Sequence, residues 1–266
     1  MLTFEPWQFE KRRSGQTNPV LFVVGGESWV FRYPMDAGKQ LCLASEYMGY
    51  RVASWLGVSV PVFCLAQTSE AFQPDQSDVR IPAGLGTATR WVDDPWYPNL
   101  EHEPLDPFWE ADQYLIRTAA VRVADTWMMN YDRRKRGNVA VSGNRAAPEV
   151  YFLDFDQAFL AKTAPRPHWI AADFKNEMLE DRELLSGFSG TGTVKSEKAQ
   201  RCEHFDPSVQ RLRSVTAAEV EQAVRDIPAQ WGIGQSDRRV WAERLLARRK
   251  IVLEILKAYN LTNGCN

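Results

Sequence analysis

The sequence predicts an α+β protein with a small β-rich N-terminal lobe and a larger, mainly helical C-terminal lobe. Short β-prone runs are concentrated in the first third of the 266-residue chain, whereas helical periodicity of apolar residues dominates the remainder. This length is sufficient for two lobes that each bury a core. We place the lobes at residues 1–92 and 93–266, with a junction near residues 92–98, because Asp93-Asp94-Pro95 ends the last predicted strand.

The N-terminal lobe is predicted to contain a hairpin, one helix and two further strands. The runs 19–24 and 28–33 are β-prone, and the Gly25-Gly26-Glu27 sequence between them is typical of a hairpin turn. Apolar residues within 43–56 recur on one helical face, and Gly57 follows as a C-terminal cap. Strands are predicted at 58–66, with Pro61 at an edge or at its beginning, and at 86–92, after a polar loop at 67–79.

The C-terminal lobe is predicted to begin with a helix at 109–129, followed by a loop, strand, loop and strand over 130–159. Little structure is assigned to 160–215, because 187–198 is rich in glycine and serine. A capping box at Thr216–Glu219 predicts a helix to about residue 227, and a long final helix follows at 237–259. Its arginines are predicted to form a solvated face: Arg238, Arg239, Arg244, Arg248 and Arg249.

Composition and charge exclude several classes of protein. The formal net charge of -2 does not indicate a nucleic-acid surface, so a nucleic-acid partner is unexpected. No apolar run approaches the roughly 20 residues of a membrane span, and the N-terminus has no signal-peptide core. The four cysteines, at 42, 64, 202 and 265, lack zinc-site spacing. We therefore expect a reduced, soluble, cytoplasmic protein without membrane contact, and we assign no role to its three isolated histidines.

The stretch 130–159 carries the candidate chemistry. Asp132 lies in a basic, polar run, Asn138 follows it, and Asp154 ends an apolar strand. Phosphoryl transfer from ATP requires a carboxylate that orients the acceptor hydroxyl and oxygen ligands that hold Mg²⁺. We therefore predict Asp132 as the catalytic base, Asn138 and Asp154 as Mg²⁺ ligands, and Asp156 as a further metal contact. The competing interpretation is a surface hairpin with ordinary turn residues.

The N-terminal lobe supplies candidate contacts to the nucleotide. Arg32 lies on the second strand and Glu46 in the following helix, so an Arg–Glu pair there would anchor phosphates. Gly15 and Thr17 lie in a small polar loop before the first strand, where a phosphate-covering turn is expected. Residues 87–91 are predicted to contact adenine through backbone groups.

Two further features flank the predicted catalytic residue. Asp125, within the preceding helix, is predicted to hold the catalytic loop by hydrogen bonds to its backbone. The basic run of Arg133, Arg134, Lys135 and Arg136 is predicted to be solvated, with contact to a phosphate or an acidic substrate as the alternative.

Five segments, in this order, resemble the HipA-like kinase family, which has the protein-kinase-like fold. They resemble its opening and phosphate-anchoring strands, its Glu-bearing helix, its catalytic loop, its metal strand and its C-terminal helices. The resemblance spans most of the chain and implies ATP and Mg²⁺ as cofactors and transfer of the γ-phosphate to a hydroxyl acceptor. The segments are GQTNPVLFV…SWVFRY, LASEYMGYRVASWLGVSVP, NYDRRKRGN, VYFLDFDQAF and VEQAVRDIPAQW…AERLLARRKIVLEIL.

Three positions depart from the pattern of this family. Arg32 stands where a lysine is usual, the spacing from Asp132 to Asn138 is one residue longer, and Asp156 replaces a glycine. The guanidinium of arginine is planar and presents several donors, whereas the ammonium of lysine is a compact point charge. Arginine in place of lysine at position 32 therefore changes the geometry of the phosphate contact. The departures motivate an alternative function, a pseudokinase that serves as a nucleotide-binding or scaffold module without turnover. A protein serine or threonine, a small alcohol and a lipid headgroup all remain open as acceptors.

Overall fold

A computed structural model of the chain describes residues 1–12, 19–33, 37–73, 80–98, 107–130, 133, 137–144, 147–156, 158–159 and 202–258. Within these ranges the predicted α+β architecture is confirmed: a β-rich N-terminal lobe precedes a helical C-terminal lobe. No helix in the described ranges combines the length and the apolar character that crossing a membrane requires.

The N-terminal lobe is built on a six-stranded sheet with the order β1-β5-β6-β4-β3-β2. Neighbouring strands are antiparallel except β1 and β5, which are parallel. The predicted hairpin is confirmed as β3 and β4, and its turn residues Gly25 and Gly26 have φ values of 60° and 82°, which favour glycine. The strands are β1 Leu2–Phe4, β2 Phe9–Arg12, β3 Val20–Val24, β4 Glu27–Arg32, β5 Phe63–Thr68 and β6 Gly84–Arg90.

A close approach between β4 and β6 determines where two polar side chains meet. A Cβ atom on Gly86 would lie 1.9 Å from the backbone oxygen of Arg32, so only glycine permits this spacing. In the resulting register Arg32 is paired with Thr87. Under this sheet the rings of Phe4 and Phe22 stack at 4.5 Å, which gives the lobe a small aromatic core.

The helix α1, Ala37–Leu56, joins the two lobes. It begins six residues before the predicted start at residue 43 and ends at Gly57, whose φ of 69° fits the predicted C-terminal cap. Its Tyr50 ring stacks on Phe63 of β5 at 4.3 Å, while Met48 and Leu56 are buried in the main helical core. The helix is therefore packed against the sheet on one side and against the C-terminal lobe on the other.

The C-terminal lobe contains four further helices among the described residues and one hairpin. The predicted helices and strands in 109–159 and 216–259 are confirmed with small shifts at their ends. A helix at 202–214 departs from the expectation of little structure over 160–215, and it forms despite Pro207 in its interior. The elements are α2 Asp112–Met128, β7 Val139–Ser142, β8 Glu149–Phe152, α3 Cys202–Ser214, α4 Ala217–Arg225 and α5 Gln235–Ala258, with 3₁₀ turns at Pro6–Gln8, Pro107–Glu110 and Ala229–Trp231.

The prediction of a solvated arginine face on α5 is wrong for two of its members. Arg238 is buried and donates to the backbone oxygen of Val224 at 2.9 Å, in the last turn of α4. Arg248 is buried and donates to the oxygen of Thr126 at 3.0 Å, in the last turn of α2. These cations bind carbonyl groups in the last turn of each helix, where a positive charge also complements the helix dipole. Helix α5 therefore fixes the ends of α4 and α2.

The cysteines do not all have the predicted redox state. Cys42 and Cys64 are not disulfide-bonded. Cys202, at the start of α3, is engaged in a disulfide, so the expectation of a fully reduced chain is wrong at this position.

Candidate functional site

Three elements of the fold meet at a buried ion pair. Arg32 is the last residue of β4, Thr87 lies opposite it on β6, and Glu46 projects from α1. Nη1 of Arg32 contacts Oε1 of Glu46, and the Thr87 hydroxyl donates to Oε2 of Glu46 at 3.0 Å. The Glu46 side chain is fully buried. The structure thus brings together the two residues predicted to anchor phosphates, and it adds Thr87 as a third partner.

The same arginine also faces the strand predicted to carry the metal ligand. Nη2 of Arg32 lies 3.7 Å from Oδ1 of Asp154. This oxygen is buried and accepts no hydrogen bond from the described residues, although the Asp154 side chain is 28% exposed. Asp154 also has a φ of 55°, a left-handed conformation that is uncommon outside glycine. A buried carboxylate oxygen without a hydrogen-bond donor is suited to coordinating a metal ion.

The donor set near Asp154 fits Mg²⁺. The amide of Leu153 donates to the backbone oxygen of Asn138 at 2.9 Å, so Asn138 and Asp154 flank the same end of the β7–β8 hairpin. Asn138 and Asp156 are both buried. The described residues contain no group of three or more His, Cys, Asp or Glu side chains able to hold a metal ion. An Mg²⁺ ion bound to phosphates needs only one or two carboxylates, so these residues suffice.

The residue after Asp154 packs directly against α1. The Phe155 ring is fully buried and meets Tyr50 edge to face at 5.0 Å. A Cβ atom on Gly49 would lie 2.2 Å from Cβ of Phe155, so a side chain at position 49 would push the two elements apart. Gly49 lies one turn after Glu46 on α1. The position of Asp154 is therefore coupled by packing to the position of Glu46.

Arg133 has a position in the candidate site that the sequence did not indicate. The prediction that it belongs to a solvated basic loop is wrong, because its side chain is buried. Its Nε and Nη2 donate to the two carboxylate oxygens of Asp125 at 3.0 and 3.1 Å. Its Nη1 donates to the backbone oxygen of Asn138 at 2.9 Å and contacts that of Leu153. The guanidinium also lies 4.6 Å from the centroid of the Phe155 ring.

These contacts make Arg133 a clamp on both candidate metal ligands. One bonded carbonyl belongs to Asn138, and the other belongs to the residue immediately before Asp154. Asp125 fixes the clamp through its carboxylate, which also accepts from the Asn130 amide at 3.0 Å. Asp125 was predicted to bond the backbone of the catalytic loop, whereas in the described residues it acts through the Arg133 and Asn130 side chains.

The buried charges shift several pKa values. Burial raises the pKa of Glu46 to about 7, although Arg32 and the Thr87 hydroxyl partly offset it. Burial by itself lowers the pKa of Arg32, but the negative charges of Glu46 and Asp154 more than offset this and raise it. Burial also raises the pKa of Asp125, against the opposing effect of Arg133. The protonation state of the Glu46 carboxyl group near neutral pH therefore depends on the charges around it.

Part of the predicted adenine contact is wrong. The backbone N–H groups of Arg90 and Trp91 already donate, at 2.8 Å each, to the oxygens of Val62 and Ser28. Residues 87–90 also lie in β6, which is paired with β4 on one side and β5 on the other.

Several predicted site residues lie outside the described part of the chain. They are the catalytic Asp132, the phosphate-loop residues Gly15 and Thr17, and Arg134, Lys135 and Arg136 of the basic run. Their roles stay predictions.

Comparison with known structures supports the class of fold. The crystal structure of the Helicobacter pylori proinflammatory kinase CtkA matches with a TM-score of 0.59 and 11% sequence identity, over 100% of this chain and 99% of that chain. At this identity the similarity shows the fold alone, and the chain therefore has a two-lobed kinase-like fold. No protein-family model matches the sequence, and no curated protein sequence matches it either.

The Arg133 clamp gives a prediction for stability. Replacing Arg133 with lysine keeps the charge but removes the fork that bonds Asp125 and two carbonyls at once. We expect Arg133→Lys to lower the free energy of unfolding by about 2–4 kcal/mol in urea denaturation. The exposed Arg239→Lys is the matched control and should change it by less than about 0.5 kcal/mol. Equal effects of the two exchanges would contradict the clamp.

The pKa of Glu46 gives a prediction for pH dependence. The folded-state pKa of about 7 lies above the ordinary value of 4.5, so the folded state binds more protons between these pH values. The stability contributed by this carboxyl therefore falls as pH rises through that window. We expect the wild type to lose stability relative to Glu46→Gln, which cannot titrate, between about pH 4.5 and 7. A constant difference between the two proteins across this window would contradict the assignment.

Proposed function

We propose that the chain is an ATP- and Mg²⁺-dependent phosphotransferase of the HipA-like kind, which transfers the γ-phosphate to a hydroxyl acceptor. One observation carries the proposal. Arg32 contacts Glu46 on α1 and lies 3.7 Å from Asp154 after β8, where the sheet meets the helical lobe. A cation fixed by a helix carboxylate beside a second carboxylate is the arrangement that phosphoryl transfer requires.

Each residue has a role in this proposal. Arg32, oriented by Glu46, binds phosphate oxygens of ATP. Asp154 and Asn138 would hold Mg²⁺, with Asp156 as a further contact, and the bound ion would neutralise charge on the phosphates. Asp132 orients the acceptor hydroxyl and accepts its proton. A protein serine or threonine is one acceptor class compatible with these residues.

A specific observation favours a second candidate, the pseudokinase. Because arginine is forked, Arg32 reaches both Glu46 and Asp154, and its positive charge lies at the carboxylate that would bind the metal. A cation in this position compensates Asp154 without Mg²⁺. Under this alternative the protein binds nucleotide independently of metal and transfers nothing.

The proposal is tested by ATP titration calorimetry with and without Mg²⁺. Asp154→Asn removes the charge, and asparagine tolerates the left-handed backbone at this position. We expect Mg²⁺ to strengthen ATP binding to the wild type at least tenfold and to have no effect on Asp154→Asn. The exposed Asp226→Asn is the matched control and should behave as the wild type. An ATP affinity that is the same with and without Mg²⁺, and the same in the wild type and in Asp154→Asn, would overturn the proposal in favour of a pseudokinase.

A substitution at Arg32 separates the two candidates further. Arg32→Lys restores the residue that the resembled family uses and shortens the reach of the cation. In the phosphotransferase, ADP release in the presence of Mg²⁺ persists or rises in this variant. In the pseudokinase, neither protein releases ADP above the rate of Asp154→Asn.

A further inference from the structure

A second concavity lies beside the junction of the two lobes. This groove, with a volume of about 830 Å³, is lined by residues 60–62 before β5, by residues 90–94 and 96 after β6, and by one end of the β7–β8 hairpin. The hairpin contributes its Ser142–Glu149 end together with Tyr151, whereas the candidate metal ligands flank the Val139–Phe152 end. Three residue steps separate the ends, which is roughly 10 Å along a strand. The acidic hairpin end of the groove is therefore separate from the candidate metal ligands.

The groove carries a negative charge. Asp93, Asp94 and Glu149 line it and are exposed. Among the described lining residues the cation is Arg90, and this side chain is paired with Glu27 at 2.9 Å. The surface therefore repels phosphates of nucleotides, nucleic acids and anionic lipids, and it attracts basic groups.

The groove also has an apolar part. Val62 is 57% exposed and lines the groove together with Val92 and the partly buried indoles of Trp91 and Trp96. Indole faces and carboxylates together suit guanidinium groups, which stack on the former and pair with the latter. The volume lies within the roughly 300–1,000 Å³ of ligand sites and far exceeds the space that one metal ion needs.

We propose that this groove docks a short basic peptide segment of a partner protein. Arginine or lysine side chains of the segment pair with Asp93, Asp94 and Glu149, and an aliphatic side chain packs on Val62. Charge complementarity favours a basic occupant. The exposed Val62 favours a peptide over a simple polyamine, because a peptide can supply an aliphatic side chain to pack on it. The proposal goes beyond phosphotransfer and does not rest on it, because docking requires neither nucleotide nor metal.

The test is fluorescence anisotropy with labelled peptides of about ten residues, in the absence of ATP and Mg²⁺. One peptide alternates arginine with leucine, a second alternates arginine with serine, and a third alternates glutamate with leucine. We expect the first to bind most tightly, the second about tenfold more weakly and the third not at all. Raising the salt from about 0.05 to 0.5 M should weaken binding of the first peptide several-fold.

Substitutions in exposed residues assign the binding to the groove. The triple exchange of Asp93→Asn, Asp94→Asn and Glu149→Gln should weaken the arginine–leucine peptide about tenfold. Asparagine at position 94 tolerates the left-handed backbone found there, with a φ of 42°. Val62→Ser should remove the preference for leucine over serine. The control neutralises three exposed acids elsewhere and should leave binding unchanged: Glu203→Gln, Glu221→Gln and Glu243→Gln.

Three outcomes would overturn the docking proposal. They are no binding of the arginine–leucine peptide below about 1 mM, equal losses in the groove and control variants, and equal affinity for spermine and the peptide. The last result would define a site for small cations instead. None of these outcomes bears on ATP binding, so failure of the docking proposal is distinguishable from failure of the proposed function.

Discussion

The buried ion pair between Arg32 and Glu46 is the interaction on which the arrangement of the candidate site depends. It joins the end of β4 to the middle of α1, and the Thr87 hydroxyl adds β6 to the same carboxylate. Removing one partner would leave the other charge buried and uncompensated, which typically costs about 3–5 kcal/mol. The sheet and α1 therefore cannot shift independently. Because Arg32 also faces Asp154, the helical lobe is aligned with them.

Two close contacts at glycines and the hydrogen bonds of Arg133 extend this alignment to the strand that precedes Asp154. Gly86 lets β6 approach Arg32, and Gly49 lets Phe155 pack directly on α1. Arg133 then fixes the segments that carry Asn138 and Asp154, with Asp125 as its counter-ion. These contacts are buried, and they hold the segments that carry the candidate ligands. Preorganisation of this kind is what electrostatic stabilisation of phosphoryl transfer requires.

Local signals explain which elements the sequence could predict. The β3–β4 hairpin follows from two glycines between β-prone runs, and α4 follows from its capping box, which is formed in full. The Arg32–Glu46 pair and the role of Asp154 were predicted from the order of these residues together with the resemblance to the HipA-like kinase family. Helix α3 was not predicted because it follows a glycine- and serine-rich stretch, 187–198, that indicated little regular structure in this region.

Other features depend on contacts that sequence patterns do not report. A buried arginine is indistinguishable from a solvated one when its acceptor is a backbone carbonyl far along the chain, as for Arg248 and Thr126, 122 residues apart. The same limit applies to Arg133, whose neighbours in the sequence are basic. The most direct test of the central ion pair is a double-mutant cycle of Arg32→Gln and Glu46→Gln, measured by urea denaturation at about pH 8, where Glu46 is ionised. We expect the free energy of unfolding of the double variant to be at least about 2 kcal/mol higher than the summed losses of the two single variants imply. Strictly additive losses would contradict it.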